Sequence, residues 1–169
     1  MANPAIPRDE VHRLAEACSD AGPAFQSIAT RLLREQKPLT NFFQENMQAM
    51  KPESAQVAFY MFAVVMRIFE QRGGRMNKVS RAEAREAAAR IAAHVPALRP
   101  FDLTLHTRVR QIEGRAQEHI LDEVLWALYE REEKKEGEVD VPPDQSALIV
   151  LLLWTCIEVL DANWRPRAA

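Results

Sequence analysis

Cysteine is scarce in this chain of 169 residues, with Cys18 and Cys156 the only two. A disulfide scaffold is excluded on that count, and without a CxxC pair so are a dithiol redox centre and a paired-cysteine zinc site. One bridge between the two is conceivable. Both sit on apolar helical faces, however, and packed free thiols in a reducing compartment are the better reading. Glycine is scarce too, at five residues, and Gly73-Gly74 is the only adjacent pair. Neither GxxxxGK[ST] nor GxGxxG occurs, which excludes the glycine-rich phosphate loops. GxSxG, HExxH and the HD dipeptide are missing as well, and with them the usual hydrolase signatures. No Glu stands three residues before any of the four histidines, so the Glu-x-x-His pairs of a di-iron bundle are absent. Charge of one sign does not dominate. Lys and Arg number 22 against 24 Asp and Glu, a net of −2, which argues against nucleic acid as the main partner.

What the sequence does have is two long uncharged stretches, residues 54–66 (SAQVAFYMFAVVM) and 145–157 (QSALIVLLLWTCI). Each falls short of the roughly 20 apolar residues that a bilayer span needs. Each is too long, and too rich in Leu, Ala and Met, for an ordinary strand. Both are expected to be helices buried nearly all round. The composition around them, 47% apolar and 27% charged, is that of an ordinary globular domain with a real core.

The remaining segments repeat apolar side chains at helical spacing between Pro and Gly punctuation. Val11, Leu14, Ala15 and Cys18 mark a helix over 8–21, and Phe25, Ile28, Ala29 and Leu32 one over 23–36 that Pro38 stops. Phe42, Phe43, Met47 and Met50 mark a third over 40–50. The first uncharged stretch lies in a helix over 52–71 that Gly73-Gly74 ends. Ser80, with Glu83 three residues on, has capping-box spacing and opens an alanine-rich helix over 81–94. Phe101, Leu103 and Leu105 alternate with polar residues, as a short strand would. A lone strand leaves its ladder unpaired, so a helix from near Asp102 to Leu128 is preferred, kinked or broken at Gly114. The charged stretch 130–137 (EREEKKEG) leads through Pro142-Pro143 into the last helix, which ends near Asn163. The expected fold is all-α: a single-domain compact bundle of six to eight helices around two central, highly apolar ones, with 1–7 and 165–169 as flexible tails.

Candidate sites are few. On a helix His119 and Glu123 lie one turn apart and are the best pair for a metal or for acid–base work. A solvent-facing histidine beside acidic neighbours is the commoner meaning of that pattern, because a site needs convergent groups from other segments. His12 and Glu16 share the spacing. From 67 to 90, seven basic residues stand against Glu70, Glu83 and Glu86, and from 116 to 144 ten acidic residues stand against three basic. Arg72, Arg75, Lys78, Arg81 and Arg85 are the candidates for gripping phosphates, although a solvated helix end explains them as simply. The Phe- and Met-rich segment 42–69 reads as core, or as a cofactor pocket or peptide groove, and a ligand-binding or enzymatic bundle would line an interhelical pocket with residues such as Phe59, Met66 and Trp126. Leu160 and Trp164 share a face near the end of the chain. They either clasp the bundle or form a patch for a second subunit.

The leading expectation is a non-catalytic cytoplasmic interaction or regulatory module without cofactor or metal, self-associating as a homodimer or binding another protein. The start, MANPAIPRDE, has no apolar core of signal-peptide length, which is the basis for the cytoplasmic expectation. Two alternatives stand beside it. One is a small-molecule-binding or metal-dependent helical enzyme with an interhelical pocket near His119. The other is a nucleic-acid-associated regulator using the basic loop.

Overall fold

A computed structural model describes residues 3–134 and 137–168. In chain order they form α1 (Arg8–Asp20), α2 (Phe25–Glu35), α3 (Lys37–Met47), α4 (Pro52–Arg72), β1 (Arg75–Met76), α5 (Arg81–Ala92), α6 (Val95–Leu98), α7 (Leu105–Arg110), α8 (Glu118–Leu125), α9 (Pro143–Ala162) and β2 (Trp164–Arg165). Among the described residues the fold is 70% helical, with nine α-helices and one two-stranded ribbon. The count reaches nine because the four-residue α6 forms and the long helix expected after Asp102 is divided.

The two uncharged stretches become α4 and α9, which lie side by side and run in the same direction. At their N-terminal ends the Lys51 N–H donates to Gln145 Oε1 at 2.8 Å. At their C-terminal ends the Trp164 indole N–H donates to the Gly73 carbonyl at 2.9 Å. Fourteen of the twenty residues of α9 are buried, because α3, α4, α5 and α8 all pack against it. By length and composition α9 is apolar enough to cross a membrane, yet 78% of its most apolar window is buried by the fold, as in a core helix. In α4 the expectation of burial all round holds only from Phe62 to Met66. Its first half leaves Tyr60 45% exposed and Gln56, Val57 and Met61 open or half-open. Among the described residues no helix covers that stripe.

Local signals account for most helix ends. Pro52 and Pro143 occupy the first turns of α4 and α9, where no N–H is required. Ser80 and Glu83 form the expected capping box, with both bonds at 3.1 Å. Pro38 opens α3 instead of merely stopping α2, because Gln36 leaves helical geometry. The Gln36 side chain then bridges to the Asn77 carbonyl and the Val79 N–H.

The segment 101–105 corrects the helix reading. Asp102 Oδ1 accepts from both the N–H and the hydroxyl of Thr104, closing a turn, so the helix starts at Leu105. That segment forms no strand. Gly114 at φ +80° and Gln117 at φ +48° then break the chain between α7 and α8. Gln117 holds its left-handed backbone through its side chain, which accepts from the Ile6 N–H and donates to the Pro4 carbonyl and to Asp161 Oδ1. Residues 3–7, expected as a tail, therefore lie against the body, with Ile6 1% exposed and Asn3 donating to the Asp161 and Trp164 carbonyls. Residues 1, 2 and 169 of the expected tails lie outside the described residues.

Candidate functional site

The unpartnered stripe of α4 forms one wall of a cleft of about 420 Å³. Ala15, Glu16 and Ser19 of α1 face it, Ile120, Glu123 and Val124 of α8 close its base, and the loop before α9 brings Val139 and Val141 to its far side. Such a volume lies within the range of natural binding sites. Tyr60 and Val139, at 45% and 44%, are two of the three large apolar side chains exposed among the described residues, and both line this cleft. Partial burial pushes the Tyr60 hydroxyl up, and Phe25 meets its ring edge-on at 5.8 Å.

The backbone changes its winding here. Residues Trp126–Glu130 form a π-turn directly after α8, closed by the Arg131 N–H donating to the Trp126 carbonyl at 2.8 Å. A π-turn inserts one residue into the helical spiral and re-aims the side chains that follow. Trp126, Ala127 and Leu128 reach the cleft because of it. Of the three pocket residues expected from the sequence only Trp126 is found here. Phe59 leans on Phe43 at 6.2 Å, and Met66 faces a second cavity near Trp164.

Glu123 is central, but its expected partner is not. Its carboxylate is nearly buried and turns to α1, where Arg8 Nη1 stands at 2.6 Å and His12 Nδ1 at 3.0 and 3.2 Å from its two oxygens. His12 in turn meets the Trp126 ring edge-on at 5.1 Å. Helical spacing puts His119 and Glu123 on neighbouring turns but does not say which interhelical groove each enters. Here His119 stays at the surface, 3.9 Å from Asp122, while Asp122 is held by Arg115. Among the described residues no three His, Cys, Asp or Glu side chains gather into a metal-binding group. His12 also turns to Glu123 and not to Glu16, so the second candidate pair separates as well. Both oxygens of Glu123 are engaged, Oε1 by Arg8 and His12 and Oε2 by His12, which makes this triad a brace between α1 and α8.

The five basic candidates divide into paired and unpaired side chains among the described residues. Arg72 pairs with Glu10 of α1 and Arg81 with Glu45 of α3, whereas Arg75, Lys78 and Arg85 remain exposed. Leu160 and Trp164, at 1% and 2% exposure, correct the expectation of a self-association patch. Trp164 packs edge-on against Phe69 at 5.2 Å and bonds the Gly73 carbonyl, so it clasps the bundle end. Both cysteines are unpaired and buried, and burial pushes the Cys18 thiol up to about 11, out of the reactive range.

No protein-family model, curated protein or solved structure matches this chain.

Proposed function

We propose that this protein is a non-catalytic interaction module of the cytoplasm, and that the cleft between α1, α4 and α8 receives an apolar helical segment of a partner protein. The observation that carries the reading is the uncovered stripe of α4, where Val57, Tyr60 and Met61 recur at the spacing by which a helix presents an apolar face. A partner helix laid along such a groove anchors at the same spacing. Glu123, the carboxylate at the base of the groove, supports binding over chemistry, since Arg8 and His12 satisfy it. Buried, unreactive thiols suit a reducing compartment.

The test is photo-crosslinking in the producing cell from a reactive residue placed at Tyr60, compared with one at Leu103. Leu103 is 68% exposed and lies outside the cleft, so it controls for chance encounters. A protein adduct that forms from position 60 and not from position 103 is the expected result. Adducts from neither position, or equally from both, overturn it. A small apolar ligand is the second reading, favoured by the 420 Å³ volume. Its signature is saturable binding of the neutral dye Nile red, abolished by Met61→Asp, with no adduct from position 60.

A further inference from the structure

We infer that the outward face of the β1–β2 ribbon is an interaction surface for the carboxylates of Glu132 and Glu133, in the loop before α9, of a second copy of this chain. The observation is one of charge and is independent of the cleft. Antiparallel pairing sets Arg75 directly opposite Arg165 and Met76 opposite Trp164. Trp164 points into the core, so alternation sends both arginines outward together. Directly opposed side chains have Cβ atoms only about 5 Å apart, and like charges so placed repel. Arg167 adds a third guanidinium, 3.2 Å from where a Cβ on Gly73 would stand, and Lys78 is exposed nearby. Among the described residues none of these four cations forms a salt bridge, whereas Arg31, Arg72, Arg81 and Arg110 all do. Glu83 is near the base of the ribbon, but its carboxylate is taken by the Ser80 N–H and the Asn163 amide.

The opposite arrangement is found at the other end of the molecule. In the loop before α9, Arg131 pairs with Glu138 and Lys134 with Asp140, which leaves Glu132 and Glu133 exposed without a cation among the described residues. That loop enters α9 at the end where Gln145 meets Lys51, and the ribbon lies where Trp164 meets Gly73. Arg131 and Lys134, which flank the two glutamates, line the cleft beside α4, and among the described residues no salt bridge joins the two clusters within one copy. Between copies they meet head to tail, each arginine fork taking a carboxylate. The ribbon has no exposed aromatic side chain on which a base would stack, and the net charge of −2 disfavours a polyanion.

Sedimentation velocity on the full chain tests this, in roughly 20 mM and roughly 300 mM salt. Self-association at about 100 μM is expected at low salt, weakened at least tenfold at high salt. Arg75→Glu with Arg165→Glu abolishes it, as does Glu132→Lys with Glu133→Lys, and mixing the two variants restores a complex because their reversed charges match. A wild-type monomer at low salt overturns the inference, as does association indifferent to both reversals or not restored by mixing. Binding of an RNA oligonucleotide of about 20 nucleotides that is lost in the arginine variant, without self-association, assigns the ribbon to nucleic acid and also overturns it. Tyr60→Asp separates this idea from the cleft. Unchanged association is expected, and loss of association moves the contact to the cleft and overturns the ribbon assignment alone.

Discussion

Gly74 shows how one residue holds the end of this fold together. A Cβ at that position would stand 2.3 Å from the Arg165 carbonyl oxygen, and φ is +88°. Only glycine lets the C-terminal segment lie so close across the turn. Gly74→Ala is expected to destabilise by about 2–4 kcal/mol, combining the left-handed backbone cost with a backbone collision. Gly22→Ala meets open space at φ +56° and should cost only about 1–2 kcal/mol. Hydrogen exchange at the Asn77 N–H, which bonds the Asn163 carbonyl at 2.9 Å, reads the difference. Protection there should collapse in the first variant and persist in the second. Glu158 is a second residue with a local account. Its carboxylate accepts from the Ala116 N–H at 2.6 Å, yet burial, with the charge of Asp161, holds its pKa above the ordinary 4.5. The folded state therefore binds more protons than the unfolded chain between 4.5 and the raised value, and stability falls as pH rises through that window. Glu158→Gln keeps the acceptor and removes the charge. It should be more stable than wild type at pH above the raised value, with the advantage gone below 4.5, in urea titrations across pH.

At the scale of elements, α9 separates positions that the sequence alone treats as equal. Trp154 is 1% exposed and stacked on His94 at 5.2 Å, and Leu153 is fully buried, but Leu151 is only partly covered. Trp154→Ala and Leu153→Ala should cost about 3–5 and 2–5 kcal/mol in chemical denaturation, and Leu151→Ala clearly less than Leu153→Ala. Equal costs for the two leucines would mean that α9 is rotated from its place here. Helical period, proline starts and the Ser80 capping box made most elements legible, because those signals lie within a few residues of one another. The break at Gln117 was not legible, since its left-handed backbone depends on Ile6, Pro4 and Asp161, which are distant in the chain. The cleft was half legible. Trp126 and Glu123 could be picked out as chemistry-bearing residues, but the π-turn that aims one and the α1 groove that receives the other are tertiary outcomes. The choice of His12 over His119 is likewise fixed by which helix packs on α8.

For the whole molecule the contact between the segment at Asn3 and the residues that close α9 matters most. Asn3 donates to the Trp164 carbonyl at 3.0 Å, and Trp164 reaches back to Gly73 at the end of α4. The N-terminal segment, the end of α9 and the turn after α4 thus form one knot at the C-terminal ends of the two central helices. A tryptophan with 2% of its surface exposed, whose indole N–H is satisfied only by that turn, contributes as a core residue despite standing near the end of the chain. Trp164→Ala is therefore expected to lower the stability of the monomer by about 3–5 kcal/mol. The loss should appear as one cooperative transition followed alike by circular dichroism and by fluorescence, since the knot joins the ends of both central helices. Trp164→Phe keeps the edge contact with Phe69 but leaves the Gly73 carbonyl without its partner, and about 1–3 kcal/mol of the cost should remain. A Trp164→Ala protein as stable as wild type would show that the clasp is an ornament of the bundle end, and that α4 and α9 are held together by their own apolar faces.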